Sequence, residues 1–231
     1  MRLQLAGGAR ERRLTALLAE RGRAADDPRL AELVADAQLL GSLELAGVRA
    51  SWDEVRASRS TGLAPPEVVA LRRAQAAVAR DAPFTVAALR TWHAAVAGPV
   101  GFRTRERDRE DAPTTPPEWI EARLATLEEW LSAAGLRDLR PEQAAGLAYA
   151  RILEVLPFED ANGRVARLAA SHVMAARGMR PPILVAADAP YLLACLRAAF
   201  RLDTEPLVAL LAEASTRATD VMIQALERGE V

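Results

Sequence analysis

Between residues 156 and 167 the chain concentrates side chains that can bind a phosphate group and its metal ion. They are an acid, an amide, a glycine and two arginines: Asp160, Asn162, Gly163, Arg164 and Arg167. A helical pattern runs into this stretch, breaks at Pro157 and then resumes. A loop that opens onto a helix in this way is typical of a phosphate site. A transfer reaction would also need a proton acceptor at the start of the loop, where Leu156 stands.

The two arginines are the most informative residues of the stretch. Arg164 and Arg167 fall in the first turn or so of the second helix, where the macrodipole disfavours cations by roughly a few tenths of a kcal/mol. Their spacing puts them on one helix face. Free backbone amides, the positive end of the dipole and two guanidinium groups therefore converge, which suits a polyphosphate. Asp160 is placed to hold a Mg²⁺ ion beside it.

A plainer alternative explains part of the same stretch. Asp160 and Asn162 also fit positions that cap the start of a helix, and Gly163 would permit the turn before it. Capping accounts for the acid, the amide and the glycine as well as phosphate binding does. It does not account for the two arginines.

The elements that must position this loop are helices, because hydrophobic periodicity predicts an all-α protein without repeats or a parallel sheet. The two helices that flank the loop are predicted over Pro141–Val155, mostly apolar and so central, and over Gly163–Arg177. Other helices are predicted within 9–22, over 28–40, after Ser51, from Pro65, from Thr85 to Gly98, over 118–133 and, as two or three helices, within 189–228.

Residues 98–117 lose the helical period altogether. They contain a run of alternating charges from Arg105 to Asp111, followed by Pro113, Pro116 and Pro117. An irregular segment of this length inside a compact domain is more often functional than idle. We interpret it as a long excursion in the form of a hairpin.

The composition predicts a globular, soluble protein: 231 residues, 51% of them apolar and 26% charged, with a net charge of -1. The near-neutral balance excludes a general nucleic-acid binder, although not a local basic patch. No signal peptide and no apolar run of about 20 residues occurs, so a membrane is not an expected partner. The single Cys195 is expected to be a buried small hydrophobe in a reducing cytosol, and we expect a cytoplasmic location. The absence of lysine and the abundance of alanine indicate a GC-rich bacterial genome.

The loop closely resembles the signature of Fic (Fido) domain proteins, H-P-F-x-[DE]-[GA]-N-G-R-x-x-R. The matching residues are Pro157, Phe158, Asp160, Ala161, Asn162, Gly163, Arg164 and Arg167. Residues 89–93 with 98–103 are similar to the family's helix leading into its target-docking flap. The likeness extends over about residues 65–215. It implies an all-α Fic-like fold with a short β-hairpin flap at 102–117, an N-terminal helical segment over 1–62 and a core domain over 63–231.

The resemblance also implies an activity and a set of ligands. Most characterised family members transfer AMP from ATP to a hydroxyl group on a target protein. By resemblance, Asp160 would coordinate Mg²⁺, while Asn162, Gly163 and Arg164 would bind the phosphates of ATP or a related nucleotide. Arg167 would contact the terminal phosphate or an inhibitory carboxylate, and Phe158 would anchor the loop in the core. The flap would dock a protein partner by strand addition.

The first departure from the family is Leu156, which replaces the histidine that acts as general base. Leucine cannot accept a proton, and a positioned base is worth about 10² to 10⁴ in rate. Two histidines occur elsewhere in the chain. His172 lies on an apolar helix face, where a core histidine is the better interpretation, and His93 stands where the family carries a structural histidine. No residue is therefore predicted to be catalytic.

The second departure lies near the N-terminus. Many Fic proteins inhibit themselves with a helix that carries [ST]-x-x-x-E-[GN], whose glutamate pairs with the second motif arginine. Here the motif starts at Ser42 and ends at Gly47, but Ala46 replaces the glutamate. The frame that would use Glu44 instead needs Ser or Thr at Leu40. Without the glutamate, removal of AMP by that route is also not expected.

These departures leave three hypotheses. The leading one is a Fic-fold regulator that binds a nucleotide or a phosphorylated ligand and is not a standard AMPylase. The second is a transferase or other enzyme that runs altered chemistry on the same loop, so whether the chain is an enzyme stays open. The third is an interaction protein whose loop has no remaining ligand. The partner, the nucleotide and the oligomeric state, including a homodimer, are not specified by the sequence.

Overall fold

The computed structural model describes residues 2–60, 64–78, 82–107, 114–132 and 138–231, and within them every regular element is helical. The all-α prediction is confirmed. The helices are α1 (Arg2–Glu20), α2 (Pro28–Glu44), α3 (Trp52–Ala57), α4 (Pro66–Ala76), α5 (Val86–Ala97), α6 (Ile120–Trp130), α7 (Pro141–Val155), α8 (Asn162–Ala175), α9 (Ala189–Ala199) and α10 (Glu205–Arg228). None of these described helices is both long and apolar enough to cross a membrane.

The centre of the fold is the pair α7 and α8, which lie side by side along their length. Small buried residues of α7, including Ala144, Ala145 and Ala148, permit this close approach. Gly146 serves the other side of α7, because a Cβ atom there would lie 3.3 Å from a methyl group of Val208 in α10. The predicted bounds of α7 are confirmed, and α8 begins one residue earlier than predicted.

Two hydrophobic clusters build the core. The larger one surrounds α7 and α8, and its largest fully buried side chains are Trp92, Tyr149 and Phe158. It also contains Cys195, which is a buried free thiol as predicted. The smaller cluster joins α1 and α2 to α10. The predicted division between residues 62 and 63 stays a prediction.

Helix α2 is fixed by a buried carboxylate. Asp36 is fully buried and accepts hydrogen bonds from Arg59, which follows α3, and from Arg72 of α4. The distances are 3.2 Å from Arg59 Nε and 2.5 Å from Arg72 Nη2. Because both oxygens of Asp36 are paired with guanidinium groups, the buried charge is compensated. The middle of α2 is thereby fixed relative to α4.

A glycine fixes the other side of α2. A Cβ atom at Gly41 would collide with the backbone carbonyl of Leu184, so only glycine permits this approach. The segment around Leu184 is itself held to α10 by a hydrogen bond from Ile183 N to Ala214 O of 2.9 Å. Helix α2 is therefore packed tightly at the residue that precedes Ser42.

The β-hairpin flap predicted over residues 102–117 is not supported by the structure. Its described parts, 102–107 and 114–117, contain no strand. Residues 108–113 lie outside the described residues.

Side chains, rather than a backbone ladder, join the two described parts of this segment. The guanidinium group of Arg103 donates to the Thr115 carbonyl, and the Thr114 hydroxyl donates to the Arg107 carbonyl. Pro116 follows directly and has no N–H to offer a neighbouring strand. Side-chain bonds of this kind leave no periodic signal in the sequence, so they could not be predicted from it.

Arg103 also holds the loop that follows α7. It is buried, with 2% of its surface accessible, and its Nε donates to the Leu156 carbonyl at 2.7 Å. One Nη2 hydrogen reaches the Val155 carbonyl at 3.2 Å, and the Arg103 backbone N–H donates to Pro157 O at 2.9 Å. These acceptors include carbonyls that the end of a helix leaves without an intrahelical partner. Burial lowers the pKa of Arg103 below its ordinary value.

We expect Asp36→Ala to lower the free energy of unfolding by about 3 kcal/mol, because it leaves Arg59 and Arg72 without their shared buried partner. Chemical denaturation measures the change. Glu32→Ala is the matched control, since Glu32 is exposed and pairs with Arg59 at the surface. It should cost less than about 1 kcal/mol. Equal effects of the two variants would contradict a special role for the buried carboxylate.

We expect Arg103→Met to lower the free energy of unfolding by about 2–4 kcal/mol, since several buried carbonyls lose their donor while the volume is nearly kept. Amide hydrogen exchange should rise locally over residues 155–165. Arg105→Ala removes an exposed arginine two residues away and should change stability by less than about 0.5 kcal/mol. An Arg103 variant with unchanged exchange in the loop would show that the loop does not depend on it.

Candidate functional site

The loop between α7 and α8 is held in an uncommon backbone conformation. Leu156 has φ 47° and ψ 61°, and Ala161 has φ 62°, so both lie in the left-handed region. This region costs a non-glycine residue roughly 1–2 kcal/mol. Conformations of this kind persist where the surrounding structure fixes them, and they concentrate at functional sites. The loop is therefore a candidate site on backbone geometry alone.

Asn162 closes the loop on itself. Its side-chain oxygen accepts from Phe158 N at 3.0 Å, and its side-chain nitrogen donates to Phe158 O at 2.8 Å. The residue is buried, and both polar ends of its amide are used in this pair of bonds. The backbone N–H of Asn162, at the start of α8, is available for a contact with a phosphate.

An aromatic stack anchors the same loop in the core. The ring of His93 lies parallel to that of Phe158, with centroids 3.8 Å apart and an interplanar angle of 10°. Phe158 is fully buried, which confirms its predicted anchoring role. Burial lowers the pKa of His93, while a hydrogen bond to the Asp160 backbone and the Asp160 charge act in the opposite direction. His93 thus supports the loop through its stack on Phe158.

His172 is a core residue, as the sequence predicted. It is 2% exposed, and its ring centroid lies 5.3 Å from that of Trp92. It does not line the cavity described next. Neither histidine of the chain therefore takes the place of a base at position 156.

The loop forms one wall of an open cavity of about 640 Å³, within the range of small-molecule sites. The cavity brings together the predicted residues Asp160, Asn162, Gly163, Arg164 and Arg167. The remaining lining residues come from the end of α2, the start of α4, the 102–107 segment and α7: Leu45, Ala46, Val48, Glu67, Arg107, Leu153, Leu156 and Ala161. Three of the lining side chains are arginines and two are acids, which favours an anionic ligand.

Asp160 and Arg164 face each other across the start of α8. Arg164 Nη2 lies 3.4 Å from Asp160 Oδ2, and the Asp160 side chain is 84% exposed. Neither Asp160 nor Asn162 caps α8, because the residue in the cap position is Ala161. The capping alternative is therefore wrong for these two side chains.

A magnesium ion fits this donor set only together with a ligand. In the described part of the chain no three acids, histidines or cysteines cluster as a metal cage. Asp160 offers an exposed carboxylate at the cavity wall. Mg²⁺ is commonly bound by one or two carboxylates plus substrate phosphates, so a single acid beside a phosphate site is compatible with it.

Arg167 is attached to α2. Its Nε donates to the Ser42 hydroxyl at 2.7 Å, and its Nη2 donates to the Ser42 carbonyl at 2.8 Å. The sequence predicted a phosphate or a carboxylate as the partner of Arg167 and did not predict Ser42. The signal was present, because Ser42 opens the same short motif in which Ala46 was recognised.

The residues that directly follow α2 form another part of the cavity lining. Leu45 and Ala46 line the cavity, whereas Glu44 is exposed and does not. This arrangement agrees with the frame that aligns Ala46 with the inhibitory glutamate. Two further residues were missed: Arg103, and Arg107, whose Nη1 donates to Glu159 O at 2.5 Å.

Comparison with known proteins agrees with this architecture. The model of the Fic/DOC family matches residues 83–174. A protein adenylyltransferase fic-1 of Caenorhabditis briggsae is 31% identical over 111 residues, and one of Caenorhabditis elegans is 30% identical over 111 residues. The match spans 48% of this chain but 22% of each relative, so the chain corresponds to a minor part of those proteins.

Solved structures extend the likeness over nearly the whole chain. Fic-1 of Caenorhabditis elegans has a TM-score of 0.77 at 22% identity, covering 98% of this chain and 75% of that one. A Fic domain containing signaling protein from Bacteroides thetaiotaomicron has a TM-score of 0.79 at 19% identity, covering 96% and 98%. IbpAFic2 in complex with adenylylated Cdc42 has a TM-score of 0.51 at 17% identity, covering 80% and 63%.

At these identities the solved structures establish the fold. The chain therefore shares the fold of solved Fic proteins, and its residues 83–174 are similar to the Fic/DOC family model.

Proposed function

We propose that this protein binds a nucleotide or another phosphate-chain ligand in the cavity beside α8 and acts as a regulator, without the standard AMP transfer of its relatives. The observation that carries the proposal is the composition of one cavity wall. Arg164 and Arg167 lie there beside the start of α8 and the Asp160 carboxylate. Leu156 lies on the same wall, where the family's general base would stand.

Each part of the wall has a distinct task. The first N–H groups of α8 have no intrahelical acceptor, and with the helix dipole they attract a phosphate oxygen. Arg164 and Arg167 supply charge-assisted hydrogen bonds. Asp160 would hold a Mg²⁺ ion that the ligand brings, and this ion would neutralise part of the phosphate charge. The Asn162 side chain keeps the loop in shape for these contacts.

The missing base argues against standard AMP transfer. In that reaction a target hydroxyl attacks the phosphorus next to the sugar, pyrophosphate leaves, and a base takes the hydroxyl proton. Leu156 offers no acceptor, although its side chain lines the cavity. Ala46 likewise offers no carboxylate from its part of the cavity lining. The residues expected to bind phosphate and Mg²⁺, Asp160, Arg164 and Arg167, are present. The family's general base and its inhibitory glutamate are both replaced, by Leu156 and Ala46.

A protein partner is part of the proposal. IbpAFic2 has been solved with adenylylated Cdc42, so a relative of this fold engages a protein. Here we place the partner on the exposed residues 104–107 and the half-buried residues 114, 116 and 117, next to the cavity. Recognition there would use side chains. A homodimer remains an untested prediction.

The second candidate function is a transferase with altered chemistry. One observation favours it: Glu67, at the start of α4, also lines the cavity. A carboxylate in this place could accept a proton that Leu156 cannot accept. Under this alternative the protein would transfer a group from a labelled nucleotide, and Glu67→Gln would reduce the transfer.

The proposed function predicts that the protein binds ATP in the presence of Mg²⁺ and that Arg164→Ala weakens this binding about tenfold or more, since one charged hydrogen-bond donor is lost. Isothermal titration calorimetry measures both constants. Arg123→Ala removes an exposed arginine of α6, outside the cavity, and should bind ATP like the unchanged protein. No binding of ATP, ADP or pyrophosphate to the unchanged protein would refute the proposal.

We further expect Leu156→His to produce detectable auto-AMPylation from labelled ATP, because it restores the base while Ala46 leaves the inhibitory carboxylate absent. Histidine also tolerates the left-handed backbone at this position better than leucine does. The double variant Leu156→His, Asp160→Ala should lose the activity. A Leu156→His protein that binds ATP but transfers nothing would show that more than the base is missing. Transfer by the unchanged protein that Asp160→Ala abolishes would establish the alternative.

A further inference from the structure

Only one edge of the Arg167 guanidinium group, formed by Nε and Nη2, makes hydrogen bonds to other described residues. A guanidinium group has five N–H donors in a plane. The Nε hydrogen and one Nη2 hydrogen are used by the Ser42 hydroxyl and carbonyl at 2.7 Å and 2.8 Å. This is a two-pronged contact across a sequence separation of 125 residues. The Nη1 group takes no part in it.

The free end of Arg167 lies beside the turn at the start of α8. Its Nη1 atom is 3.4 Å from the point where a Cβ atom on Gly163 would stand. Both residues line the cavity. The Ser42 contact therefore sets the direction in which the remaining donors of Arg167 approach the place where a phosphate would bind.

The partner atoms on Ser42 carry no charge. A hydroxyl and a carbonyl oxygen fix the orientation of a guanidinium group but do not cancel its charge, as a carboxylate would. Arg167 is thus held in place and remains fully cationic toward the cavity. A serine in this contact leaves the positive charge of Arg167 available to an anion. A glutamate would neutralise this charge and so weaken anion binding.

The support behind Ser42 is rigid. Ser42 is 8% exposed and follows Gly41, which is packed against the Leu184 carbonyl. Asp36, further up α2, is tied to Arg59 and Arg72. A hydrogen bond to such a fixed group removes rotamer freedom from the long arginine side chain before any ligand arrives.

We infer that Ser42 is a positioning residue of the binding site: it holds Arg167 so that its free edge receives the terminal phosphate of a ligand with a phosphate chain. The inference rests on the proposed function and adds a specificity to it. Ligands long enough to reach Arg167, such as a nucleoside triphosphate, gain from the contact. A nucleoside monophosphate does not.

The test compares ATP with AMP, each with Mg²⁺, by calorimetry. Ser42→Ala removes the acceptor for Nε and should weaken ATP binding about tenfold while AMP binding stays unchanged. Ser42→Thr keeps the hydroxyl and should restore ATP binding. Ser171→Ala is the matched control, since Ser171 accepts a hydrogen bond from Gln38 in the same region and has none to Arg167. It should bind both nucleotides normally.

A double-variant cycle separates positioning from a general effect on folding. On an Arg167→Ala background, Ser42→Ala should cause no further loss of ATP affinity. Arg167→Lys keeps the charge but not the two-pronged contact, and should show the same ATP-specific loss even if Ser42→Ala does not fold. Thermal unfolding followed by circular dichroism verifies that each variant is folded.

The results distinguish two failures. If Arg164→Ala and Arg167→Ala both weaken ATP binding while Ser42→Ala leaves it unchanged or tightens it, the positioning role is refuted and the proposed function stands. An equal loss for ATP and AMP in Ser42→Ala also refutes it. If neither arginine variant affects binding, the proposed function itself fails.

Discussion

The buried guanidinium group of Arg103 is the interaction on which the geometry of the loop depends. Its partners are backbone carbonyls, two of them, Val155 and Leu156, at the end of α7. A buried cation is costly unless its charge is compensated, and the dipoles at the negative end of a helix contribute to this compensation. The same group reaches the Thr115 carbonyl. One side chain therefore fixes both the start of the phosphate loop and the segment beside it.

The second wall of the cavity depends on a different set of contacts. Helix α2 is tied to the core by Asp36 and by the close approach at Gly41, and these bring Ser42 to Arg167. The motif and α2 are far apart in sequence. The position of Arg167 nevertheless depends on α8, which carries it, and on α2, whose Ser42 orients its guanidinium group. In the proposed function, the affinity of the cavity for an anion would thus depend on two elements that only the tertiary fold brings together.

Much of this could be predicted from the sequence, for identifiable reasons. Helical periodicity and cap residues are local signals, so α7 was predicted with its observed ends and α8 to within two residues. The motif residues are local as well, and they meet in one cavity. The contacts of Arg103 could not be predicted, because bonds from a side chain to distant carbonyls leave no periodic trace. The contact of Ser42 had a signal in the short motif that starts at this residue, but it was missed. The predicted hairpin is not supported by its described parts, 102–107 and 114–117, which contain no strand and are joined through the Arg103 side chain.

The loop does not need the side chain at position 156 to keep its shape. Leu156 is held through its backbone, with its N–H bonded to Ile152 O at 2.9 Å and its carbonyl to Arg103. The rest of the loop is held by Asn162 and by the stack of His93 on Phe158. A residue without a proton acceptor can thus stand at this position without disturbing the arginines or the start of α8. Under the proposed function, the loss of proton transfer would therefore leave phosphate binding intact, because different groups position the two.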